Sequence, residues 1–150
     1  IQGARDASSR GCALLFVSED LKSWSYLDRI QTQEPFGYMW ECPDLFELDG
    51  HKLLMVCPQG LSQDGHKYQN VYQCGYFPAE LDFEKREYRL GAFCELDKGF
   101  DIYAAQTFQD ERGRRDAEGT YLPGRASDPA ADGGDEAPPS GKTDDRNTVL

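Results

Sequence analysis

Leu45-Phe46-Glu47-Leu48-Asp49-Gly50-His51-Lys52-Leu53-Leu54-Met55-Val56-Cys57 is the stretch on which the fold class of this chain turns. Asp-Gly between two apolar runs is the strongest short-range signal for a tight hairpin, because the turn needs positive φ and Gly reaches it without steric cost. The runs on either side are strand-sized. Neither sustains the helical period of about 3.6 residues. Upstream, Cys12 to Val17 is another apolar run of strand length, followed by a polar turn from Ser18 to the aromatic Trp24, which reads as a core anchor. Downstream, Asn70 to Phe77 is rich in aromatic and β-branched residues, and Tyr88–Phe93 and Ile102–Phe108 complete the set. Residues 1–115 therefore read as all-β. Short strands broken by turns about every 8–12 residues fit a sandwich, a barrel or a propeller, and spacing alone does not choose among them.

The character changes near residue 116. From Asp116 to Leu150 there are five Gly, four Pro and eight acids against three bases, with few large apolar residues. Such a segment cannot bury enough surface to offset its ordering entropy, so 116–150 is expected to be a disordered tail. A frameshift near residue 116 would explain so abrupt a loss of β pattern. At the other end Ile1 rather than Met opens the chain, so the true start is expected to lie upstream.

Over all 150 residues, 16 bases face 27 acids for a formal net charge of −11. A surface of that sign repels phosphodiester backbones, and there is no basic stripe, which excludes nucleic acid as a partner. No apolar run approaches the roughly 18 residues of a membrane span. The five cysteines, Cys12, Cys42, Cys57, Cys74 and Cys94, form no Cys-x-x-Cys pair and have no His at ligand spacing, so no metal site is expected. An odd number of scattered thiols suits a reduced, cytoplasmic protein.

Met39-Trp40-Glu41-Cys42-Pro43-Asp44-Leu45 carries the chemistry. It sets an acid between a bulky aromatic and a Cys-Pro corner that leads into a strand. Carboxyls pressed against apolar neighbours are those recruited as general acids, because the neutral form is favoured there. Pro43 would hold the corner rigid, and Asp44 is placed to bond a ligand or the backbone of the turn. On the residues alone, Glu41 also reads as a surface acid ahead of a strand.

Trp40-Glu41-Cys42-Pro43-Asp44 resembles the acid/base motif of glycoside hydrolase family 32, which holds invertases, inulinases, levanases and sucrose-6-phosphate hydrolases. Gly11 to Trp24 is similar to the family's strand and Ser-x-Asp-Leu-x-x-Trp turn, through Ser18, Asp20, Leu21 and Trp24. Asp97 to Phe108 resembles its Gly-x-Asp-Phe-Tyr-Ala-x-Gln segment, and Gln109 to Arg115 its Asp-x-x-Gly-Arg-Arg turn.

The resemblance implies a five-bladed β-propeller, of which 1–115 would supply about two to three blades. Its active site would lie in the axial funnel, hydrolysing β-fructosides such as sucrose or sucrose 6-phosphate with retention of configuration. Glu41 would be the general acid/base. Asp101, Tyr103 and Trp40 would bind substrate, and Asp44, Cys42 and Gln106 would support them. Strand alternation would put Asp101, Tyr103 and Ala105 on one side and Ile102, Ala104 and Gln106 on the other. No metal or organic cofactor is implied, since two carboxylates suffice.

The second carboxylate is the departure. The family takes its nucleophile from a Trp-Met-Asn-Asp-Pro-Asn-Gly stretch, and nothing like it occurs here; Arg5-Asp6-Ala7 reads as the end of a strand and not as the family's sugar-binding Arg-Asp-Pro. A catalytically inactive, sugar-binding propeller module is accordingly the second reading. Against it stands the loss of β pattern after Arg115.

Overall fold

The computed structural model describes residues 1–98 and 102–121. They form ten strands in three antiparallel sheets, with no helix among the described residues. The first sheet joins β1 (Gln2–Arg5), β2 (Gly11–Val17) and β3 (Ser25–Ile30) in chain order. The second runs β4 (Met39–Leu48), β5 (His51–Gln59), β6 (Gly75–Asp82) and β7 (Glu87–Leu90), with the short β8 (Cys94–Glu95) on the free part of β6. The third pairs β9 (Ile102–Gln109) with β10 (Arg115–Tyr121). The sheets meet along β1, β4 and β9.

Asp49-Gly50 makes the expected hairpin, both residues at positive φ, with Leu48 opposite His51. The unbroken apolar run after it is explained by burial on both faces of β5. Leu54 and Val56 face a core shared with Ala13, Leu15, Ile30, Trp40, Phe77 and Leu81. Met55 and Cys57 face a second one with Cys74 and Ala105. The middle sheet is thus a wall between two packed layers, and its central strand is buried on both faces from Leu54 to Pro58.

Trp40 anchors the first layer. It is fully buried, its ring centroid lies 5.4 Å from that of Phe77, and its indole N–H donates to the Phe36 carbonyl at 2.7 Å. Gly11 leaves room for it: a Cβ there would stand 2.3 Å from Trp40 Cδ1.

Several expectations change. The Cys-Pro corner is no corner: residues 41–44 lie inside β4 as a β-bulge. The strand expected at Asn70–Phe77 starts only at Gly75 and continues through Pro78 to Asp82. Pro78 is tolerated because it faces Leu53 at a position that exchanges no hydrogen bonds with β5, and β7 pairs only from Ala79 onward. Trp24, expected as an anchor, is 55 % exposed on its turn.

The boundary at 116 also moves. Residues 116–121 belong to β10, paired with β9 through the turn that Asp110 caps by accepting from the N–H groups of Arg112 and Arg114. Main-chain ladder bonds hold β10, so its polar composition did not announce it. Residues 122–150, expected as a disordered tail, lie outside the described residues. Among those described, no helix is long and apolar enough to cross a membrane.

Candidate active site

Glu41 stands on β4 opposite Cys57, and Asp44 opposite Met55. Three steps along β4 therefore match two along β5, so one residue of β4 is extra. Cys42 absorbs it at φ +47°, in the left-handed region that non-Gly residues enter at a cost of about 1–3 kcal/mol. In a regular strand, residues three apart point to opposite faces. The bulge brings Glu41 and Asp44 to one face.

β9 repeats the device. Tyr103 pairs with Thr120 and Gln106 with Glu118, again three steps against two, with Ala104 at φ +54°. The alternation expected for 101–106 consequently breaks. Ala105 is buried in the second core, while Tyr103 and Gln106 turn toward β4.

The two bulges are tied across the gap between their sheets. The Tyr103 hydroxyl donates to Glu41 Oε2. Gln106 Nε2 donates to the Cys42 carbonyl at 3.0 Å. Asp44 Oδ2 accepts from both the N–H and the hydroxyl of Thr107, at 2.7 and 2.6 Å. Arg115 on β10 donates to Thr107 Oγ1 at 2.8 Å and lies 4.7 Å over the Phe46 ring. Each net bond to a carboxylate is worth about 1.5–3 kcal/mol where water is partly excluded.

Tyr103 is held from behind as well. Gln59 Nε2 donates to its hydroxyl at 3.3 Å, and the Tyr72 ring lies 5.5 Å away. A phenol has one proton to give, and with Gln59 donating to its oxygen, that proton goes to Glu41. Burial and the bond to Glu41 push the Tyr103 hydroxyl well above its ordinary value, so it stays a donor through neutral pH.

Of the residues singled out in the sequence, Glu41, Cys42, Asp44, Tyr103 and Gln106 come together. Trp40 does not join them. Buried with its N–H already bonded, it packs in the core and has no face to offer a sugar, so it does not stand among the substrate-binding residues where it was expected. Asp101 lies outside the described residues. Gln59, Tyr72, Thr107 and Arg115 escaped the sequence reading, since Gln59 and Tyr103 are 44 positions apart and no local pattern links them.

Among the described residues no group of three His, Cys, Asp or Glu side chains is arranged to hold a metal ion. A cleft of about 350 Å³ beside His51, Lys52 and Arg89 lies at the far end of the β4–β5 hairpin from Glu41 and shares nothing with the bulges.

Comparison with known proteins bears on the family. The model of the glycosyl hydrolases family 32 N-terminal domain matches residues 1–121. The sucrose-6-phosphate hydrolase of Bacillus subtilis is 52 % identical over 118 residues, covering 75 % of this chain and 25 % of that protein. The sucrose-6-phosphate hydrolase of Staphylococcus xylosus is 42 % identical over 113 residues, covering 75 % of this chain and 23 % of that protein. Among solved structures, a β-fructofuranosidase of Bombyx mori superposes with a TM-score of 0.72 at 43 % identity, over 78 % of this chain and 25 % of its own. The chain thus spans about a quarter of the length of these relatives.

Proposed function

The chain belongs to glycoside hydrolase family 32, and from that premise we propose that it carries the acid/base half of a retaining β-fructosidase site. The observation that supports this best is the hydrogen bond from Tyr103 to Glu41, which joins two motif strands 62 positions apart. With Oε2 held by the phenol, the plane of the Glu41 carboxyl is fixed, and Oε1 is the oxygen that meets the glycosidic bond. Glu41 protonates the leaving oxygen and afterwards takes a proton from the water that releases the fructosyl group.

Asp44 and Gln106 are supporting groups that lock the bulges together, and Cys42 supplies the strained link that turns Glu41 inward. Asp101 is assigned to substrate hydroxyls on its motif alone. The nucleophile has to come from an Asn-Asp-Pro stretch that is not among residues 1–150, held about 5 Å from Glu41. The three sheets correspond to about two to three blades of the family's five-bladed propeller. Sucrose 6-phosphate is the expected substrate, since two of the relatives named above carry its hydrolysis in their names, and sucrose stands beside it as a β-fructoside of the same class. Five free cysteines fit a cytoplasmic setting.

The test is a chimera. Residues 1–121 would replace the matching quarter of the Bacillus subtilis sucrose-6-phosphate hydrolase. The chimera should hydrolyse sucrose 6-phosphate. Glu41→Gln within it should lower kcat by roughly 100- to 10,000-fold, and by far less for a fructoside whose leaving group needs no proton. Equal loss on both substrates would remove Glu41 from the acid role.

A further inference from the structure

We propose that Cys57 and Cys74 are a cross-strand dithiol that peroxide-class oxidants close reversibly to a disulfide, directly beneath the strand that carries Tyr103. The inference is independent of the catalytic reading.

The register carries it. Val56 pairs with Gly75, and further along the same antiparallel alignment Gln59 stands opposite Tyr72. Cys57 therefore stands opposite Cys74. The next pair outward, Pro58 and Gln73, is a hydrogen-bonded one, because the Gln73 N–H donates to the Pro58 carbonyl. Bonded and non-bonded pairs alternate along an antiparallel ladder, so Cys57 and Cys74 form a non-bonded pair with Cα atoms about 4.5 Å apart. That lies within the span a disulfide bridges without backbone movement.

The two thiols share the second core with Met55 and Ala105, and both are buried. The neighbouring Cys74 and burial push the Cys57 thiol well up, while the neighbouring Cys57 draws the Cys74 thiol down. Cys12 and Cys94 lie elsewhere, on β2 and β8, while Cys42, on the bulge of β4, packs against the same cluster and is the competing thiol that the test has to separate.

The chemistry balances. The Cys74 thiolate attacks one oxygen of hydrogen peroxide, the O–O bond breaks, and Cys74 becomes a sulfenic acid as hydroxide leaves. Cys57 sulfur then attacks the sulfenic sulfur; the S–S bond forms, the hydroxyl leaves, and the Cys57 proton completes a water. Two thiols and one peroxide yield one disulfide and two waters.

The experiment treats the folded 150-residue chain with hydrogen peroxide, quenches with catalase, unfolds it in guanidinium and labels free thiols with N-ethylmaleimide. Two of the five cysteines should escape labelling, the unreduced mass should be two hydrogens short, and peptide mapping should place the link between Cys57 and Cys74. Dithiothreitol should restore all five labels. Cys42→Ser should leave the pairing unchanged, whereas Cys57→Ser and Cys74→Ser should each abolish it. The proposal is overturned by full labelling after oxidation, by a link that includes Cys42, or by pairing that forms as fast in the guanidinium-unfolded chain. Should either serine variant fail to fold, the mapped link in the wild type and in Cys42→Ser still decides.

Discussion

Tyr103 is a phenol whose ionisation the fold resists. Burial and the Glu41 carboxylate hold its proton on, above the ordinary value of 10.0. A group with a raised folded pKa contributes stability that is fully present below the unfolded value and is lost as pH rises through the folded one. The chain should therefore lose urea resistance above about pH 10, and Tyr103→Phe should lose less of it over the same interval. Parallel curves for the two proteins would show that Tyr103 is not held as described. Gly11 makes a second case at this scale. A methyl group there would collide with the Trp40 indole, which has no space to retreat into because Phe77 backs it. Gly11→Ala should cost about 1–3 kcal/mol, the usual penalty for overpacking, read as a lower urea midpoint at unchanged slope.

Among elements, the bond from Asp44 to Thr107 is the fastening between β4 and β9. Asp44→Ala should destabilise the chain by about 2–3 kcal/mol, and a double-mutant cycle with Thr107→Val should return a coupling of about 0.5–3 kcal/mol. Additive effects would mean the two strands are held by something else. How far the elements could be read from sequence depended on whether they were regular. Asp49-Gly50 and its flanking runs declared the β4–β5 hairpin, because local turn chemistry and burial pointed the same way. The bulges did not declare themselves. From sequence Cys42-Pro43 reads as a corner and 101–106 as a simple alternation, since the period of two holds only while each residue has one partner. β10 was invisible for a different reason: Arg115 to Tyr121 is held by its ladder and by Arg115 on Phe46, neither of which composition reports. The residues of the motif were readable; the bends that gather them were not.

The whole molecule leaves part of its apolar surface in water. Val17, Leu21, Trp24 and Tyr26 are all 50 % exposed or more, close to the open edge strand β3. A strand with one open edge beside exposed aromatics is a template for association. The isolated chain should elute from a sizing column as concentration-dependent oligomers, and Trp24→Lys with Tyr26→Lys should shift it toward monomer. Elution as a monomer at every concentration would set that expectation aside. Glu41, by contrast, faces the gap between sheets, so these changes should leave the bond to Tyr103 in place.

The paired bulges also decide which kind of genetic change this region tolerates. A point substitution at Pro43 alters one side chain and leaves the phase of β4 as it is. Deleting Pro43 takes out the surplus residue, and with it the half-turn that puts Glu41 and Asp44 on the same side. One of the two acids would then face away from β9, with every side chain still present. A deletion in the matching stretch of β9 would do the same to Tyr103 and Gln106. Chain length across these two short segments is therefore as much a part of the site's inheritance as the identity of its acids.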